Sequence, residues 1–313
     1  MILHFHMILY QFFHMAGGKI QGQELIYKDL KNGEEMSSFA AHTSIGKALK
    51  LYPEVALKSL TDEIYGMLQR KVWKGVLYDS LTPKQKQSIL FSSTIIKEKY
   101  NLDGDFITVK SRIVTGGDGQ NLEDILERLR SAPTTATSSV STIASIAASR
   151  NMEIATVDIK QAYLNSDMEG DVFMWITQPA ADVLCQRDPC FMPFLHENDR
   201  VLVKLFKVQY GCVESAKLWY NHISKALQDN GFSIKSLDPC VFQKQVGEGW
   251  TYITQYVDDL LIVSDEKTEV DKPIEYLRQT YHDITVKRGK THVRFISQNQ
   301  DGCSYLCLSL HRR

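Results

Sequence analysis

Two adjacent carboxylates, Asp258 and Asp259, interrupt an otherwise apolar run in "ITQYVDDLLIVS", residues 253–264. The apolar stretches on either side read as two buried strands joined by a tight turn. Burial and mutual repulsion both oppose a double negative charge at such a place. Either the tip of the hairpin is solvated and the pair is incidental, or a cation neutralises it. A second strand-like run, "MEIATVDIKQAYL", also ends its apolar stretch on a carboxylate, Asp158. If the two runs share one sheet, three carboxylates meet at its end. Mg²⁺ prefers such hard oxygen ligands, together with substrate phosphates. Two such ions about 3.5–4 Å apart serve in-line phosphoryl displacement, which is nucleotidyl-transfer chemistry.

The rest of the chain reads as α+β. Within residues 51–78, Val55, Leu57, Leu60, Ile64, Met67, Leu68 and Val72 fall mostly on one helical stripe. Thr82 followed by Pro83 is a helix start. Phe106 to Ile113 alternate as a strand does and run into Gly116, Gly117 and Gly119. Val140, Ile143, Ile146 and Ala147 recur at helical spacing in a Ser/Thr-rich stretch. A strand over 152–158, a helix over about 214–229 ending at Asn230-Gly231, strands near 240–245, 250–257 and 260–264, and a helix after Pro273 complete the pattern. This order predicts an antiparallel sheet of the split βαβ kind with helices on one face.

At a net charge of −1 the chain carries no global signature of nucleic-acid binding, so any basic surface is local. The candidates are Arg70, Lys71 and Lys74, the pair Lys84 and Lys86, and Lys287, Arg288 and Lys290. Six cysteines without a CxxC pair support neither a zinc ribbon nor a disulfide framework, which points to a reducing, intracellular setting. The apolar start, "MILHFHMILYQFFHM", has no basic flank and is shorter than the roughly 20 residues that span a bilayer. It is expected to be a poorly defined leader over residues 1–50 and not a membrane anchor. No internal repeat is present.

Tyr256-Val257-Asp258-Asp259 between apolar strands, downstream of Asp158-Ile-Lys-Gln-Ala-Tyr163-Leu, resembles the palm of reverse transcriptases. The blocks "VKSRIVTGG", "SAPT", "VDIKQAYLNSDMEGDVFMWITQP", "VKLFKVQYGCVESAKLWYNHISKALQDNGF", "DPCVF" and "QYVDDLLIVS" stand in the order of copia-type retrotransposon polymerases, and the likeness covers about 53 to 265. It implies a right-hand polymerase: fingers over 51–150, a palm over 151–265 and a partial, degenerate thumb over 266–313. It further implies that Asp158, the backbone of Ile159, and Asp258 hold two Mg²⁺ ions, or Mn²⁺ in their place, with Asp259 as a third carboxylate. Tyr163 matches the sugar gate that excludes a 2′-hydroxyl. Arg112 and Lys110 match the strand that clamps the incoming triphosphate. Tyr210 and Gly211 match the loop beside the templating base. Leu218, Trp219, Ile223 and Leu227 on the next helix read as core packing. The implied partners are an RNA or DNA template-primer and deoxynucleoside triphosphates, in cytoplasmic particles or the nucleus.

Two departures from the family's pattern stand out. Glu214 takes the place of a glutamine that touches the nucleotide, and Val213 removes a basic residue. A carboxylate close to a triphosphate weakens binding unless it points away or is paired. The segment after the hairpin matches loosely, with 49 residues following Ser264, which predicts a short thumb and no RNase H domain. The alternative to a working polymerase is a decayed fragment that at most binds nucleic acid nonspecifically.

Overall fold

The computed structural model describes residues 27–28, 35–36, 42–101, 105–234, 237–281, 283–297 and 304–311; the apolar leader lies outside them. In chain order the main elements begin with helix α1 (Pro53–Gln69), helix α2 (Pro83–Gln87) and strands β1 (Leu90–Tyr100) and β2 (Phe106–Thr115). Helix α3 (Thr137–Ser149) leads to strands β3 (Glu153–Ile159), β4 (Phe173–Ile176) and β5 (Arg200–Leu205). Helix α4 (Ser215–Asp229) precedes strands β6 (Val241–Val246), β7 (Gly249–Tyr256) and β8 (Asp259–Ser264). Helix α5 (Lys267–Thr280) and strands β9 (Ile284–Ser297) and β10 (Ser304–His311) follow. These elements divide into two compact units, one containing Ala132–Ala162 with Trp219–Arg313, the other Ile20–Ser131 with Tyr163–Leu218.

In the first unit the sheet runs β6-β7-β8-β3-β9-β10, every neighbour antiparallel. Helix α3 packs Val140, Ile143 and Ala147 onto Ile154, Leu261 and Val263. Strand residues alternate faces. Ala155, Val157, Ile159, Leu260 and Ile262 therefore point to the opposite face, yet they are buried to 1% exposure or less, and α5 packs on the same two strands. The sheet is thus covered on both faces, which corrects the expectation of helices on one face. The reason lies in the strands: β8 is a nearly continuous apolar run, and β3 carries Ile154 on one face beside Ala155, Val157 and Ile159 on the other, so each face has apolar surface to cover. Pro273 falls inside α5 and does not begin it. Residues 266–313, expected as a thumb, supply α5 and a strand, β9, paired with β3.

Asp238 joins two distant segments of this unit. Its carboxylate accepts from the Ala136 N–H (3.0 Å), the Cys240 N–H (2.9 Å) and the Thr135 hydroxyl (3.4 Å), satisfying donors at the start of α3. Burial opposes the charged form, but these donors and the Ser139 hydroxyl outweigh it and hold the carboxyl below its usual range.

In the second unit, β1 and β2 form a long hairpin, and β1 continues parallel to β4, which pairs with β5. Helix α1 lays Leu60, Ile64 and Met67 into a core with Ile113, Met174, Ile176 and Val203. The Ser59 hydroxyl accepts the Ser111 N–H at 2.8 Å, tying the helix to β2. Helix α1 ends at Gln69, and Val72, expected on its stripe, leads instead into a short strand, Trp73–Gly75, after Lys71 turns the chain at φ 51°. Helix α2 starts on a full capping box between Thr82 and Gln85.

Candidate functional site

The sequence-expected residues fall into two groups, one in each unit. In the first unit, Val257 and Asp258 form the two-residue tip between β7 and β8, and Asp259 opens β8. Asp259 pairs with Tyr256 on one side and with Asp158 on the other. The Ile159 N–H donates to the Asp258 carbonyl at 3.0 Å. That bond makes Asp158 and Asp259 a non-hydrogen-bonded pair, the type in which opposed side chains come closest, with Cβ atoms typically about 4.5–5.5 Å apart. All three carboxylates are half-buried. Burial, then the charge of Asp258, then that of Asp158 push the Asp259 carboxyl up to about 7.

The hairpin tip is held under strain. Val257 has φ 55°, a left-handed conformation that β-branched residues seldom adopt. Its carbonyl accepts the Trp219 indole N–H at 2.6 Å and the Gln255 side-chain amide at 3.4 Å. Trp219 is 1% exposed, with its ring 5.8 Å from His222 and 5.7 Å from Tyr281. Leu218, Ile223 and Leu227 are buried as expected. Trp219 does more than pack, and the available signal was chemical: a buried indole N–H needs an acceptor.

Convergent carboxylate oxygens are the donor set that hard divalent cations take. Among the described residues no three His, Cys, Asp or Glu side chains form a metal-holding group by themselves. Mg²⁺ is commonly held by one or two carboxylates and completes its shell with water and substrate phosphate, so the chemistry of this site suits it.

In the second unit, Tyr163 and Tyr210 meet edge to face at 4.5 Å, and the Arg112 guanidinium lies 5.8 Å over the Tyr210 ring. Arg112 also pairs with the buried Glu63 of α1 at 3.0 Å. Lys110 is exposed two residues away on the same face of β2, directly opposite Lys97 on β1. The Thr115 N–H donates to the Tyr210 carbonyl at 2.7 Å. Gly211 follows at φ 102°, where a Cβ would sit 1.9 Å from the Thr115 carbonyl oxygen, so only glycine fits.

Glu214 is buried, and its carboxylate accepts from the Gln120 amide at 3.0 and 3.3 Å, while the Gln120 carbonyl accepts the Val213 N–H at 2.7 Å. The carboxylate is therefore paired. Gln209, passed over in the sequence, is fully buried and anchors the loop: it donates to the Ile113 carbonyl and accepts from the Trp73 indole. No local sequence pattern marks it.

A family model described as reverse transcriptase (RNA-dependent DNA polymerase) matches residues 70–286. Among curated relatives, the Retrovirus-related Pol polyprotein from transposon RE1 of Arabidopsis thaliana is 26% identical over 250 residues, covering 76% of this chain and 16% of that protein. The corresponding polyprotein from transposon TNT 1-94 of Nicotiana tabacum is 26% identical over 217 residues, covering 69% and 15%. The Transposon Ty1-DR4 Gag-Pol polyprotein of Saccharomyces cerevisiae is 26% identical over 239 residues, covering 76% and 13%. The chain thus spans about a sixth or less of the length of these relatives.

Proposed function

The chain belongs to the reverse transcriptase (RNA-dependent DNA polymerase) family, with copia-type Pol polyproteins as its relatives, and we propose that it extends a primer by metal-assisted nucleotidyl transfer. The observation that carries this reading is the register that sets Asp158 opposite Asp259, with Asp258 one residue away at the hairpin tip. The Asp158 and Asp258 carboxylates and the Ile159 carbonyl would hold two divalent ions, with Asp259 as the third carboxylate. Bound there, Mg²⁺ or Mn²⁺ would supply charge stabilisation for the attacking and leaving oxygens.

The chain's other residues bind and select. Lys110 and Arg112 would take the triphosphate. Arg112 is steadied by Glu63, and a guanidinium has five donors, so it can bind phosphate oxygens as well. Tyr163, braced by Tyr210, would exclude a 2′-hydroxyl, and Gly211 would let backbone approach the templating base. Glu214 would hold Gln120 and the Val213 backbone in place, its charge directed to that amide. On this reading Ala132–Ala162 with Trp219–Arg313 act as the palm, and Ile20–Ser131 with Tyr163–Leu218 as the fingers. The partners are an RNA or DNA template-primer and deoxynucleoside triphosphates. Template-directed extension with Asp258→Asn as control tests it.

A further inference from the structure

We propose that Trp219 is a positioning residue for the metal-holding hairpin, acting through the backbone of Val257. Its role rests on the reading of Asp258 as a metal ligand.

The Val257 carbonyl accepts from the Trp219 indole at 2.6 Å and from Gln255 at 3.4 Å. Val257 is held at φ 55°, which costs a β-branched residue free energy that the surrounding contacts must offset. The next residue is Asp258, whose carbonyl takes the Ile159 N–H. One short segment therefore carries a strained dihedral, a double-donor clamp and a bond to the strand of Asp158. Without the clamp the tip can relax toward the ordinary φ range, which re-aims the peptide that leads into Asp258. The indole is suited to this task because its donor sits on a rigid ring, 1% exposed and packed by His222 and Tyr281.

The test compares the full chain with Trp219→Phe, Gln255→Leu, Asp258→Asn and the double variant Trp219→Phe/Val257→Gly. Two quantities are read: Mn²⁺ affinity by calorimetry and amide hydrogen exchange in the peptide covering residues 254–264. Trp219→Phe keeps an aromatic ring but loses the donor. It is expected to weaken Mn²⁺ binding and speed hairpin exchange by about tenfold each, as loss of a hydrogen bond to a buried group implies. Gln255→Leu leaves the indole untouched and shifts both in the same direction by roughly threefold, as suits its longer bond. Glycine adopts φ 55° without strain, so Val257→Gly should recover most of the loss in the Trp219→Phe background.

Wild-type Mn²⁺ affinity and hairpin exchange in both Trp219→Phe and Gln255→Leu, with Mn²⁺ binding lost in Asp258→Asn, would overturn the positioning role and leave the metal reading standing. Undiminished Mn²⁺ binding by Asp258→Asn would overturn the metal reading itself and the positioning role with it.

Discussion

Asp158 and Asp259 face each other across neighbouring antiparallel strands, in the kind of pair whose side chains approach most closely. Like charges so placed destabilise a sheet, and the Asp259 carboxyl is pushed up to about 7 in response to burial and its neighbours. Asp259→Asn should therefore stabilise the protein by roughly 1 kcal/mol at pH 8 without divalent ions. Urea unfolding should show that gain shrink when Mg²⁺ is added, since the cation offsets the same repulsion.

Tyr163 is braced by Tyr210 at 4.5 Å, which gives the proposed sugar gate a rigid backing. Tyr163→Val should relax exclusion of ribonucleotides by at least about tenfold, measured as the ratio of kcat/KM for deoxy- and ribonucleotide incorporation. Tyr210→Ala should relax it less, because the gate ring stays but loses its support.

Gly211 occupies a position where a Cβ would meet the Thr115 carbonyl oxygen at 1.9 Å and where φ is 102°. Gly211→Ala should cost roughly 2–4 kcal/mol of stability through combined clash and backbone strain, read by calorimetry.

The Asp238 carboxyl lies below its usual range, so it contributes stability that is fully present above the unfolded value near 4 and is lost as pH falls through its folded value. Wild-type protein should lose melting temperature on acidification below about pH 4 more steeply than Asp238→Asn. At neutral pH that variant should be less stable by about 1–3 kcal/mol, as donors to the carboxylate are left poorly matched.

Elements whose cause is local were legible in the sequence. The Thr82-Pro83 start of α2, the alternation of β2, the Asn230-Gly231 stop of α4 and the hairpin around Asp258 all depend on neighbours a few residues apart. Strand β1 has a weak apolar signal in the sequence because its buried face holds Ser92 and Glu98 beside Leu90 and Ile96, while Phe91 and Ile95 are exposed on the other face. What the site adds is long-range. Gln120 and Glu214 stand 94 positions apart, and Trp219 and Val257 stand 38 apart. Neither contact leaves a periodic trace. The Glu214 departure read as a nearby charge problem because its amide partner was not visible from the surrounding residues. The two-sided burial of β8 was written in its composition, but the strand order alone suggested one covered face.

The most direct measurement is primer extension on an RNA template by the purified chain with Mg²⁺ and four deoxynucleoside triphosphates, beside Asp258→Asn shown to be folded by circular dichroism. Metal-dependent extension by the wild type that falls at least about a thousandfold in the variant is the predicted result, since a metal-held carboxylate supplies several kcal/mol in the transition state. Extension that persists in Asp258→Asn, or a folded wild type with none, would contradict a working two-ion centre at the Asp158–Asp258–Asp259 cluster.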